Sequence, residues 1–325
     1  MVMAETPKQN TVTNTIILLI LACAIAGLYI GANIVAHPDF SGKGHSYKAG
    51  YDSANSVDKK ANLPKITPDA AADIAIPLKR PQLASIWLNY NLPQIQESIA
   101  VPAIFTPRMP AEIGDLTVQE RKQLFVRIML PLILAANDKI AAERTMLAKA
   151  DTTQLLALAK SYRVKTDTQD SETMRPEMLR TELDKRIRPL PVSLALAQAA
   201  IESGWGTSRF TKEANALYGQ WAWRAEDGVK PLEASNSRAV IRKFDTLQES
   251  VHSYMKNLNS HYAYEALRDV RAQLAQQGRT ADGFDLAPYL SNYAETGAEY
   301  VETIRNVIGR NNFTNFDNLR LGTSG

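Results

Sequence analysis

Apolar and polar positions alternate with different periods along the chain, and each change of period marks a different element. From Thr15 to Ala36 (TIILLILACAIAGLYIGANIVA) no charge interrupts the apolar run. At about 1.5 Å per residue, a helix over these residues reaches ~33 Å, enough to cross a hydrocarbon core, which predicts a membrane anchor. A cleaved leader fits less well, because Lys8 is the one cation before the run and Glu5 offsets it. Ile20-Leu21-Ala22-Cys23 has the form of a lipid-attachment site, but the apolar run continues well past Cys23. From His37 to about Ala75 the period disappears into Gly, Ser, Asp, Lys and Pro, the pattern of a flexible tether.

Helical spacing then takes over. Thr117 with Glu120 three residues on predicts a capped helix start. Phe125, Ile128, Met129, Leu132 and Ile133 recur at the helical period, with Pro131 expected to kink or interrupt them. The run Ile128 to Ala136 is too short to be a second span. Further helices are expected over Asn137–Ala150, Asp151–Leu158 and Thr173–Ile187. Arg188-Pro189-Leu190-Pro191 is a break, and Pro191 suits the first turn of a helix running to about Ser203. Short β-like pieces between Lys230 and Phe244 predict a small hairpin. Leu247, Val251, Tyr254, Met255 and Leu258 share one face of a helix over Asp245–Leu258, and a last helical region covers Pro288–Ile308. The expected fold is mainly α with a small β-hairpin lobe. Its parts are an N-terminal tail and anchor (1–36), a linker (37–75), a helical region (76–187), a second helical domain with the hairpin (188–316) and a tail (317–325).

Composition narrows the function. Lys and Arg number 37 against 34 Asp and Glu, a net charge of +3, and no basic stripe with interleaved aromatics occurs, so no nucleic-acid partner is expected. The one cysteine, Cys23, excludes an intramolecular disulfide and a cysteine metal site. His37, His45, His252 and His261 do not fall at metal-ligand spacing, so neither a metal nor a cofactor is expected.

Chemistry gathers in Leu194–Trp223, LALAQAAIESGWGTSRFTKEANALYGQWAW. Leu194, Ala197 and Ile201 form an apolar stripe, and Gln198 and Glu202 share a face as i and i+4. Glu202 falls in the last turn, before Gly204 at the left-handed cap position. The negative end of the helix dipole and partial burial near Trp205 should disfavour its ionisation. A protonated carboxyl is what a glycosidic leaving oxygen needs from a general acid. A glutamate in a last turn is ordinarily a solvated surface residue. The aromatic neighbours set this one apart, since Trp205, Trp221 and Trp223, three of the chain's four tryptophans, lie within nineteen residues, with Tyr218 among them. Such rings stack on sugars as readily as they fill cores.

Ala200-Ile201-Glu202-Ser203-Gly204-Trp205-Gly206 followed by Asn215-Ala216-Leu217-Tyr218-Gly219 resembles the glucosaminidase domain of glycoside hydrolase family 73, whose members cleave peptidoglycan. Arg242 to Val251, Tyr254 to Tyr264, and Tyr293-Ala294 with Tyr300 resemble later segments of that family. Val101 to Leu147 adds a likeness to its Bax-type proteins. The resemblance implies a lysozyme-like helical domain, Glu202 as catalytic acid, and Tyr293 near the cleaved bond. It also implies substrate contacts from Gln198, Trp205, Asn215, Tyr218, Trp221, Trp223 and Tyr300. A second carboxylate is expected on the β lobe among Glu226, Asp227 and Glu233, and the position before the hairpin turn favours Glu233. The implied partner is the glycan strand of peptidoglycan, reached from the periplasmic face of an inner membrane that the single anchor crosses. Flanking cations do not set that orientation, with Lys8 before the span and Lys43 and Lys48 after it. A lytic transglycosylase and a non-catalytic wall-binding scaffold are the alternatives.

Overall fold

The structure, a computed structural model, describes residues 100–166, 175–230, 240–294 and 297–322. The expected anchor and tether lie outside these residues, as does Glu233. Among the described residues no helix is long and apolar enough to cross a membrane.

The fold is mainly helical, and its centre is α1 (Val118–Lys149). The expected cap is there: the Thr117 hydroxyl accepts from the Glu120 amide at 3.4 Å, and Glu120 Oε2 accepts from the Thr117 amide at 3.0 Å. Pro131 does not end the helix, and the two segments expected on either side of it are one. A proline inside a helix costs about 3 kcal/mol. Here every residue from Ile128 to Leu134 is buried, and each large apolar side chain returns ~1.5–3 kcal/mol. Burial on that scale outweighs one lost backbone bond.

Two short helices, α2 (Thr152–Ser161) and α3 (Pro176–Arg186), pack on one another, and α3 begins where Pro176 can be tolerated. Next comes α4 (Val192–Ser203), with Pro191 one residue before its first turn. It is buried on every side from Val192 to Ala200, not along one stripe. Its alanines let α1 and the final long helix, α9 (Ala298–Arg310), pack against it. A six-residue helix, α5 (Arg209–Ala214), leads into the β lobe.

That lobe is a three-stranded antiparallel sheet in the order β2 (Trp221–Ala222), β4 (Val240–Arg242), β3 (Gly228–Val229). Strand β4 falls within the interval expected to hold a hairpin, β3 lies just before it, and β2 joins the other edge of β4. A Cβ at position 228 would lie 2.2 Å from the Ile241 carbonyl oxygen, so this close approach requires Gly228. Then follow α6 (Leu247–Ser260), capped by Thr246, α7 (Glu265–Gln276) and α8 (Gly283–Leu286). The region expected as one last helix is divided into a 3₁₀ stretch, Ala287–Tyr293, and α9. At the ends, β1 (Ala100–Val101) pairs in parallel with β5 (Arg320–Leu321).

Beside a small second core in the β lobe, one large apolar cluster runs from Val101 to Leu319. Arginines fasten the helix ends around it. Arg180 donates to the Leu147 and Ala150 carbonyls at the end of α1. Arg271 donates to those of Lys185, Arg186, Arg188 and Pro189 at and beyond the end of α3, and Arg268 to Leu258 and His261 at the end of α6. The last carbonyls of a helix have no intrahelical donor, and a cation there also meets the negative end of the dipole.

Candidate active site

Three consecutive left-handed residues end α4: Gly204 (φ 57°), Trp205 (φ 57°) and Gly206 (φ 82°). The fully buried Ser203 holds this turn, donating to the Ala199 carbonyl at 2.6 Å and accepting from the Gly206 amide at 2.9 Å. A Cβ on Gly206 would meet Met109 Sδ at 2.9 Å. Trp205 accepts a conformation that costs a side-chain-bearing residue about 1–2 kcal/mol. Its ring is fixed edge-on to Phe125 at 5.6 Å and tilted on Phe313 at 6.2 Å, with Lys122 Nζ 4.8 Å above it. The sharp turn leaves Glu202 half-buried in the last turn of α4.

Around Glu202 the fold gathers tyrosines from four elements. Tyr300 of α9 donates its hydroxyl to Glu202 Oε1 at 2.7 Å. Gln198, one turn before Glu202 and fully buried, donates from Nε2 to Tyr300 Oη at 3.1 Å. Tyr254 of α6 donates to Gln198 Oε1 at 2.6 Å. Tyr254 stacks on Tyr218, centroids 3.7 Å apart and planes within 5°. Tyr293 stacks on Tyr300 at 5.4 Å and 4°, and its hydroxyl donates to the Tyr218 carbonyl at 3.0 Å. Tyr264 completes the group, 6.3 Å from Tyr293. Burial, and then the nearby Glu202 charge, push the phenols of Tyr293 and Tyr300 well above their ordinary value. Burial does the same to Tyr254, reinforced by Tyr218, Tyr264 and Glu202. These hydroxyls therefore keep their protons and act as fixed donors.

The sequence model of the glucosaminidase family, described as mannosyl-glycoprotein endo-beta-N-acetylglucosaminidase, matches residues 180–313. The chain is also 31% identical over 189 residues to the protein bax of Escherichia coli (strain K12), a match covering 55% of this chain and 66% of that one. Residues 180–313 are a glucosaminidase-family domain, in a chain that resembles bax. No solved structure matches it.

Within this glucosaminidase domain the residues singled out from the sequence divide into two groups. Gln198, Glu202, Tyr218, Tyr293 and Tyr300 come together in the tyrosine-lined group. The others lie apart from it in the contacts they make. Trp205 packs against α1 and the 3₁₀ turn Phe313–Phe316. Asn215, left-handed at the end of α5, ties α5 to the β4–α6 junction by donating to the Phe244 and Asp245 carbonyls at 3.0 and 2.9 Å. Trp221 packs in the small β-lobe core with Ala214, Ala216 and Ile241. Trp223 is 41% exposed on the lobe.

Of the β-lobe carboxylates considered, Glu226 is exposed and bonded to Arg224 at 2.5 Å, and Asp227 lies 3.8 Å from the same guanidinium. The sequence reading did not place Tyr254 and Tyr264 in the site. The helical period puts Tyr254 on an apolar face, where a ring with a polar tip is a signal in its own right. Among the described residues no three His, Cys, Asp or Glu side chains converge as a metal site.

Proposed function

We propose that the glucosaminidase domain is a peptidoglycan hydrolase, an endo-β-N-acetylglucosaminidase that cleaves the β-1,4 bond after N-acetylglucosamine. The observation that carries this reading is the placement of Glu202. It is a half-buried carboxyl at the end of a helix buried on every side as far as Ala200, with one oxygen held by a tyrosine that keeps its proton. Because Oε1 accepts from Tyr300, the proton of the acid form belongs on Oε2. Glu202 passes it to the glycosidic oxygen as the C–O bond breaks. Water then attacks the anomeric carbon and gives up a proton to a base, for which Glu233 is the candidate, or the substrate's own 2-acetamido group attacks first. Tyr293, stacked beside the Tyr300–Glu202 pair, borders the reacting bond, and the exposed Trp223 offers a face for a more distant sugar. In the same reading, residues 15–36 anchor the chain in the inner membrane and residues 37–75 let the domain reach the wall on the periplasmic side.

The test is lysis in a peptidoglycan-embedded gel. Glu202→Gln keeps the shape and removes the proton, so clearing should fall at least ~100-fold with the fold intact. Equal clearing by the two proteins sinks the role of Glu202. Reducing N-acetylglucosamine ends are the expected product, and anhydro-muramyl ends would make the protein a lytic transglycosylase instead. No clearing by the unmutated protein would favour a wall-binding scaffold.

A further inference from the structure

The hydrogen bonds behind Glu202 form a single directed line. An ionised carboxylate can only accept, so Tyr300 must donate to it. With its proton committed, Tyr300 Oη accepts from Gln198 Nε2. That fixes the amide, so Gln198 Oε1 faces Tyr254 and accepts from its hydroxyl. Nothing in this line turns toward solvent: Gln198 is fully buried, and Tyr254 and Tyr300 are nearly so. We infer that Tyr254 and Gln198 are positioning residues that act through Tyr300 to hold one orientation of Glu202, with Oε1 engaged and Oε2 left to carry the proton of the acid form, and that they do not contact substrate. This deepens the reading of Glu202 as the acid and rests on it for its catalytic meaning.

The physical reason is the symmetry of an amide. Without the Tyr254 hydroxyl, Gln198 Oε1 is a buried acceptor with its donor gone, a costly state. Turning the amide over relieves it and presents Oε1 to Tyr300. The Tyr300 hydroxyl then has a second acceptor and leaves Glu202 for part of the time. Donation to a carboxylate favours its charged form, so losing the donor favours the protonated form. Tyr254→Phe, which keeps the ring stacked on Tyr218, should therefore move Glu202 in the same direction as Tyr300→Phe, by a smaller amount. Of the titratable groups on neighbouring elements, Tyr293 on the 3₁₀ stretch keeps its proton, pushed up by burial and then by the Glu202 charge, and Tyr264 on the turn before α7 lies 6.3 Å from Tyr293.

The test follows the Glu202 side-chain titration directly, by carbon NMR of the full chain labelled in glutamate, with Glu202→Gln identifying the resonance. This reads the line of hydrogen bonds whether or not the wall is the substrate, and the lysis gel reads the catalytic assignment separately. In Tyr300→Phe the midpoint should rise by roughly one pH unit, the size of one charged hydrogen bond. In Tyr254→Phe it should rise by part of that. The double variant should titrate close to Tyr300→Phe alone, because the hydrogen-bonded route from Tyr254 to the carboxyl runs through Tyr300. An unmoved midpoint in Tyr254→Phe overturns the inference, and so does a shift that adds in full to that of Tyr300→Phe. Where the protein clears peptidoglycan, kcat should fall in Tyr254→Phe with KM little changed. A raised KM with an unmoved titration would mark Tyr254 as a substrate contact.

Discussion

At the scale of single residues, Glu-Ser-Gly-Trp-Gly is a structural instruction before it is a chemical one. Ser203 bolts the turn from inside, Gly204 and Gly206 supply left-handed backbone, and Trp205 is strained but clamped between two phenylalanines. The result is a carboxyl delivered at a fixed angle. Gly206→Ala should expose this. It places a methyl 2.9 Å from Met109 Sδ at a φ of 82°, and we expect a loss of about 1–3 kcal/mol in urea unfolding. Unchanged stability would mean that the turn relaxes freely. The sequence revealed Gln198 and Glu202 through their spacing, and the turn through its glycines. It did not reveal that Trp205 faces inward, because an aromatic residue beside a catalytic candidate suits a sugar platform and a core equally well. Nor did it place Tyr254, since a tyrosine on an apolar helical face matches the core pattern until its hydroxyl partner, 56 residues away, is known.

At the scale of elements, what was legible followed burial. The capped start of α1, the left-handed end of α4 and the apolar face of α6 all follow from local chemistry and were all expected. Helix α7 was not, for a definite reason. Arg268 and Arg271 occupy its buried face, where the helical period calls for apolar residues, because their guanidinium groups cap the ends of α6 and α3. The start of α4 is likewise held from far along the chain. Asp317 accepts from the Ser193 amide and hydroxyl, each at 2.7 Å, and Ser193 Oγ accepts from the Gly283 amide. Burial raises the Asp317 carboxyl to about 6, against the hydrogen bonds from Ser193, which lower it. The folded state thus takes up this proton before the unfolded state does as pH falls, so the group's contribution to stability declines as pH rises from about 4 through 6. Two units would be at most about 3 kcal/mol, and the helix dipole, which favours a carboxylate here, reduces it. Asp317→Asn should remove this component. Unfolding free energies of the two proteins between pH 4 and 7 should therefore converge or cross with pH, and a constant gap would exclude the assignment.

At the scale of the whole molecule, acid stability follows from histidines that the fold keeps neutral. Burial, then Lys139, lowers His252 to about 4. Burial, then Arg163 and Arg268, lowers His261 to about 4. Here the unfolded chain binds the proton first, so both contributions are lost as pH falls from about 6.5 toward 4. They act over the window in which Asp317, and Asp138 whose carboxyl burial also raises, act with the opposite sign, and the two deeply lowered histidines outweigh them. The protein should melt at lower temperature at pH 5 than at pH 6.5, and His252→Gln should reduce the difference. A higher melting temperature at pH 5 would contradict the balance. The helical region before Pro191, which the sequence set apart as a layer of its own, shares one apolar cluster with the glucosaminidase domain. Its amphipathic pattern was readable, but amphipathicity does not name the surface that a helix will cover.

The parallel pairing of β1 with β5 has a mechanical consequence. Among the described residues, a pull applied at Ala100 enters the fold through β1, two residues long, joined to β5 and to the Gly322 amide, which donates to the Val101 carbonyl at 2.7 Å. So short a pairing yields before any packed helix does. If the chain is leashed to a membrane while its glucosaminidase domain grips a stiff polymer, tension is released by peeling β1 away. Val101 leaves the core first, while Glu202 and its tyrosines keep their places on α4, α6 and α9.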